Sequence, residues 1–138
     1  MIPADPGDYP IAYGFVPQTI SYDGDPFDVL VLGKPVAGRI VRVAIDGLMH
    51  MEDEKGLDSK VVGSVVDAHG APVERLTDDV RASVGRYFAR YKLHEPGKFS
   101  RVPGWGTADE GAAFVRTTHA FFRECRAAAS TACTVLVK

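Results

Sequence analysis

Two short acidic segments carry the residues best suited to chemistry. Asp23-Gly24-Asp25-Pro26-Phe27-Asp28 places three carboxylates within one turn, and Asp53-Glu54-Lys55-Gly56-Leu57-Asp58 places three more. Eight of the eighteen acidic residues lie between Asp23 and Asp58. So much negative charge beside apolar segments repels itself unless water or cations neutralise it. A ligand set made only of oxygens suits a hard cation such as Mg²⁺ or Mn²⁺, not zinc. Gly24 and Pro26 permit a sharp, stiff turn, so the first three carboxylates can converge just ahead of a rigid element.

Competing readings of the same residues are weaker. An EF-hand loop counted from Asp23 requires Gly at its sixth position and Glu at its twelfth, where this chain has Asp28 and Lys34. Aspartate favours turns on its own account, but six clustered carboxylates exceed what two turns need. His50, His69, His94 and His119 are scattered without zinc-ligand spacing.

The elements that must position these groups follow from the apolar pattern. Residues 1–28 are rich in Pro, Gly, Tyr and Asp and read as turns and irregular extended chain. Val29-Leu30-Val31-Leu32 reads as a buried strand. Ile40 to Met51 alternates as a strand, with Gly47 marking a bulge. Lys60 to Val66 is a further β-branched strand, so the second acidic segment forms the hairpin before it. After Thr77 the spacing becomes helical, with Val80, Val84, Tyr87, Phe88 and Tyr91 on one stripe and Pro96-Gly97 as the stop. Thr107-Ala108-Asp109-Glu110 is a capping box that opens a second helix burying Phe114, Phe121, Phe122 and Cys125. The tail from Ala127 to Lys138 has no clear assignment. Strands first and helices last predict an α+β domain spanning 1–138, an antiparallel sheet or small barrel flanked by two helices.

Composition narrows the function classes. The chain has 138 residues, 46% of them hydrophobic, which suits a single domain with a real core. A net charge of −2 offers no general attraction to nucleic acid or anionic membrane. No apolar run approaches the length of a membrane span, and the first residues lack the pattern of a secretory signal. Cys125 and Cys133 read as free thiols in a reducing cytoplasm.

The motifs together resemble a known family. Tyr9-Pro10, Tyr13-Gly14-Phe15-Val16-Pro17 and then Asp23 to Val31 look like the signature of the family I soluble inorganic pyrophosphatases. Met51 to Lys60 matches that family's second acidic motif, and Tyr91-Lys92, Gly97-Lys98-Phe99 and Gly104-Trp105 match its third region. The resemblance implies an OB-like barrel and Mg²⁺-dependent hydrolysis of pyrophosphate, with Mn²⁺ as a substitute. It implies that Asp23, Asp28 and Asp58 hold the tight activating metal and that Asp28 bridges to a second. Asp53, with Asp58 and Glu54, would hold a metal arriving with substrate. Asp25 would be the general base, with Tyr13 nearby; Lys60, Tyr91, Lys92 and Tyr9 would contact or support the phosphates. A cytoplasmic homo-oligomer, dimer or hexamer, is the expected assembly, although Arg86 and Arg90 stand where bacterial hexamers often have histidines.

The resemblance also departs from the family. Its members carry several strands before the Tyr-Pro motif, which complete the barrel and supply a lysine and an arginine for phosphate. This chain begins almost at the motif, so the barrel is expected to be incomplete. Two readings follow: an active pyrophosphatase, and a shortened relative that binds metal or phosphate without turnover.

Overall fold

The Val29–Leu32 run is buried because it is sandwiched. In the computed structural model, which describes residues 11–21, 24–90 and 95–128, it belongs to strand β2 (Phe27–Leu32), near the middle of a sheet with a helix on each face. The other strands are β1 (Ala12–Val16), β3 (Val43–Asp53), β4 (Gly56–Leu57), β5 (Lys60–Val65) and β6 (Ser100–Gly106). The order is β1-β2-β5-β3-β4, with β6 also pairing with β3. Leu30, Leu32, Met49, Met51 and Val62 pack on one face with Val84 and Phe88 of helix α1 (Asp78–Arg90). Phe27, Val29, Val31, Leu48 and Val61 form the opposite face with Phe114 and Val115 of helix α2 (Ala108–Ala128). Each such fully buried side chain contributes about 1.5–3 kcal/mol of transfer free energy.

The α+β class with two flanking helices and the open, incomplete barrel are as expected; the sheet is mixed rather than purely antiparallel. β2 and β5 run parallel, with Val29 opposite Val61 and Leu30 opposite Val62. A parallel pair suits strands covered on both faces. It also has a consequence for chemistry, since both strands start at the same end of the sheet and an acidic segment precedes each.

Two strands escaped the pattern. β1 lies in the stretch read as irregular, because the positions on its α2 side are the small Ala12, Gly14 and Val16, while Tyr13 and Phe15, on the face shared with Leu30 and Asp28, stay exposed at the sheet edge. β6 contains Pro103, and the register with β3 shifts between His50 and Glu52, close to that residue. Proline is tolerated at such an irregularity. The bulge expected at Gly47 is present, as a register shift between Ile45 and Gly47. There α2 comes against the sheet backbone: a Cβ on Gly111 would stand 2.6 Å from the Gly47 carbonyl oxygen.

Both helix starts behave as their sequences suggest. Thr77 Oγ1 accepts from the Val80 amide at 3.2 Å, and Thr107 and Glu110 exchange two bonds at 2.9 and 3.2 Å. The expectation of free thiols is corrected at Cys125, which is disulfide-bonded. Tyr91 of the α1 stripe lies outside the described residues, as does most of the tail. No helix among the described residues is long and apolar enough to cross a membrane.

Candidate active site

Lys60, the first residue of β5, is the centre of the site. The register of β2 and β5 sets Asp28 beside it on the same face, and the antiparallel β1–β2 register brings Tyr13 opposite Leu30 on that face too. The Lys60 side chain is only 2% exposed. Its ammonium donates to Asp28 Oδ2 at 2.9 Å, to Asp58 Oδ2 at 3.1 Å and to the Tyr13 hydroxyl at 3.3 Å. The nitrogen also lies 5.5 Å from the centre of the Tyr13 ring. A buried ammonium needs such partners, because leaving it unpaired away from water is very costly.

The carboxylates around it are unevenly placed. Burial pushes the Asp58 carboxyl above its usual range; Lys60 opposes this, and the charges of Asp28 and Asp53 add to it. Asp58 is thus harder to ionise than a free carboxyl, chiefly because it is buried. The Asp58 amide bonds to the Met51 carbonyl at 2.8 Å, which fixes the residue against β3.

Asp53 and Glu54 are committed to the hairpin and its neighbour. Asp53 Oδ1 accepts from the Lys55 amide at 2.8 Å, and Glu54 Oε1 accepts from the Phe99 amide at 3.3 Å. Glu54 thereby ties the segment before β6 to the acidic hairpin. Asp25 is exposed, two residues before β2. Its loop is closed by bonds from the Ser21 amide to the Asp25 carbonyl and from the Gly24 amide to the Ser21 carbonyl, at 2.9 and 3.1 Å. Gly24, with φ of 86°, supplies the left-handed conformation this turn requires.

The structure therefore brings together Lys60, Asp28, Asp58 and Tyr13, with Asp53 close enough to be felt by Asp58. Asp23, Tyr9, Tyr91 and Lys92 lie outside the described residues. Sequence reasoning placed Asp46 in the acidic group, but it serves elsewhere. It accepts from Arg75 Nε and Nη2 at 3.1 and 3.0 Å and from the Leu76 amide at 2.7 Å, pinning the segment before α1 to β3.

A divalent cation fits the chemistry of this donor set. The ligand atoms are carboxylate oxygens, and the charge at Asp58 is one that a cation would relieve. Among the described residues, no group of three or more His, Cys, Asp or Glu is placed to hold a metal ion.

A buried lysine clamped between two carboxylates, where two parallel strands begin, is the candidate site. The chain belongs to the inorganic pyrophosphatase family, whose profile matches residues 3–123. The inorganic pyrophosphatase of Ralstonia nicotianae is 39% identical over 110 residues, covering 74% of this chain and 63% of that protein. That of Aeropyrum pernix is 39% identical over 116 residues, covering 78% and 66% respectively. The chain thus spans just under two thirds of the length of these relatives. Among solved structures, the Thermus thermophilus inorganic pyrophosphatase superposes with a TM-score of 0.77 at 35% identity, over 89% of this chain and 75% of that one. A Coxiella burnetii inorganic pyrophosphatase gives a TM-score of 0.75 at 34% identity, over 88% and 77%.

Proposed function

We propose that this chain hydrolyses inorganic pyrophosphate to two phosphates, with Mg²⁺ as cofactor and Mn²⁺ as a substitute. The observation that carries the reading is the Lys60 ammonium held between Asp28 and Asp58 in a member of the pyrophosphatase family. Asp28 and Asp58, with Asp23, would hold the activating cation, and Asp53 and Glu54 a cation arriving with substrate. Bound cations neutralise the anionic phosphates and acidify water.

The chain's own groups supply the rest. Asp25 takes a proton from the attacking water as its oxygen bonds to one phosphorus. The bond from that phosphorus to the bridging oxygen breaks, and the second phosphate leaves with its electron pair. Lys60, Tyr91 and Lys92 bind phosphate oxygens and absorb the charge that develops on the leaving group. Tyr13 and Tyr9 support the pocket, and Tyr13 orients the Lys60 amine through its hydroxyl.

The same reading includes a cytoplasmic homo-oligomer, dimer or hexamer. The disulfide at Cys125 counts against a reducing compartment.

A second reading, in which the chain binds metal or phosphate without turnover, is favoured by the Lys60 amine, whose three donors are taken by Asp28, Asp58 and Tyr13. Phosphate release from pyrophosphate, with and without Mg²⁺, separates the two. Release that requires Mg²⁺ and is lost in Asp25→Asn supports the enzyme. A folded protein that releases none establishes the second reading, and full activity in Asp25→Asn removes that residue as the base.

A further inference from the structure

Lys60 as it stands has no proton to offer a phosphate. An ammonium has three N–H donors, and Asp28, Asp58 and Tyr13 take three bonds from it. The side chain is 2% exposed, so water does not supply an exchangeable partner. Two of the three acceptors are the carboxylates assigned above to the cation.

We infer that Lys60 is the internal counter-cation of the metal-free pocket, displaced from Asp28 and Asp58 when a divalent cation enters, so that metal entry releases the amine to bind phosphate. The inference rests on the proposed cation site and concerns the order in which the pocket fills. A divalent cation on these carboxylates and an ammonium about 3 Å from the same oxygens repel one another, and the divalent charge competes better for shared carboxylates. The lysine cannot swing freely to water, since it starts a central strand and its stem is enclosed. Tyr13 remains as a pivot: its hydroxyl is bonded to the amine, its ring faces the nitrogen, and the residue is partly exposed on the edge strand of the described sheet. A released amine therefore moves along the Tyr13 side of the site, the side that is partly exposed. Without metal the carboxylates both repel the anion and occupy its lysine, so one arrangement enforces metal before substrate.

The test uses the whole chain without pyrophosphate, so it does not depend on turnover. Mg²⁺ affinity is measured by calorimetry for the wild type and for Lys60→Met, which keeps the stem but removes charge and donors. Removing the competitor is expected to tighten Mg²⁺ binding about tenfold. Unchanged or weaker binding overturns the inference. A second measurement follows the Lys60 amine in the wild type by nitrogen-detected NMR, which holds if Lys60→Met does not fold. The buried, bonded amine gives a slowly exchanging signal in metal-free protein. That signal should shift or exchange faster on saturation with Mg²⁺; if it is unmoved at saturation, the lysine is not displaced. Tighter binding in Lys60→Met from a chain that releases no phosphate would uphold this inference and remove the pyrophosphatase reading.

Discussion

Asp58 and Asp46 are both paired with a cation beside β3, and their surroundings push them in opposite directions. At Asp46 the hydrogen bond from Arg75 holds the carboxyl below its usual range, helped by the Leu76 amide and opposed by burial. At Asp58 burial is the leading effect and raises the carboxyl, against the attraction of Lys60. Arg75 is 69% exposed and keeps most of its hydration, so that pair forms at little cost in desolvation. Lys60 is enclosed, and two further carboxylates crowd Asp58. The difference teaches which pair the fold uses for itself. Asp46 is more comfortable charged in the fold than out of it, whereas Asp58 is less so. Carboxylates kept in unfavourable surroundings concentrate at functional sites.

The largest expected effect breaks this comparison by function. Asp28→Ala removes a carboxylate from Lys60 and from the proposed cation, and should lower Mg²⁺-dependent phosphate release on the order of a hundredfold or more. Asp46→Ala should leave release within about threefold, because its partners Arg75 and Leu76 belong to a structural tie. Comparable losses in the two variants would erase the distinction between working and structural pairs.

Stability should reverse the ranking. In metal-free protein, Asp46→Ala strands the half-buried Leu76 amide and is expected to cost about 1 kcal/mol in urea unfolding. Asp58→Asn keeps an oxygen for Lys60 and removes the charge that burial opposes. It should cost nothing or shift unfolding toward higher urea, with turnover lost. A clear loss of metal-free stability in Asp58→Asn would mean that the Lys60 pair, not burial, decides the balance there.

The sequence made some of this visible and hid the rest for physical reasons. The Val29–Leu32 run, the Gly47 bulge and the Thr107–Glu110 box are local signals, and each reappears in the structure. Strand direction is not local. Val29–Leu32 and Lys60–Val65 read as strands whichever way they pair, and the parallel alignment that joins the two acidic segments comes only from tertiary packing. Asp28 and Lys60 are 32 residues apart, and only resemblance to a family placed them in one pocket. β1 was hidden by the small side chains on its α2 side, β6 by its proline and glycines. Asp46 shows the opposite failure: an acidic residue near an acidic cluster in sequence, bound by the fold to Arg75.

The two pairs should also separate by pH. The folded-state pKa of Asp46 is lowered from an ordinary 3.8, so its contribution is present above that value and is lost as pH falls through the folded value. Asp58 has a folded-state pKa raised from 3.8, so its contribution is present below 3.8 and is lost as pH rises through the folded value. With metal chelated, the stability advantage of wild type over Asp46→Asn should shrink as acid is added. The difference between wild type and Asp58→Asn should move the other way, turning against wild type as pH rises. Urea midpoints from about pH 3 to 7 measure both slopes, and parallel slopes would show that the two environments are equivalent after all.

The smallest effect sharpens the comparison by probing the structural side alone. Thr107 and Glu110 close the start of α2 with two bonds, and the Thr107 amide, followed by its hydroxyl, holds the Glu110 carboxyl below its usual range. One turn further on, Gly111 meets the Gly47 carbonyl beside Asp46, so this helix end is fastened to the structural half of β3. Thr107→Ala leaves the Gly111 amide bonded to the backbone carbonyl of residue 107 at 3.0 Å and removes only the side-chain cap. The expected cost is about 1 kcal/mol of unfolding free energy, with faster amide exchange at the helix start. Mg²⁺ affinity and turnover should not change, because the cap makes no bond to Asp28, Asp58 or Lys60, which are aligned by the register of β2 and β5. A fall in Mg²⁺ affinity on loss of this cap would show that the α2 contact also sets the site, and that the two halves of the sheet are not independent.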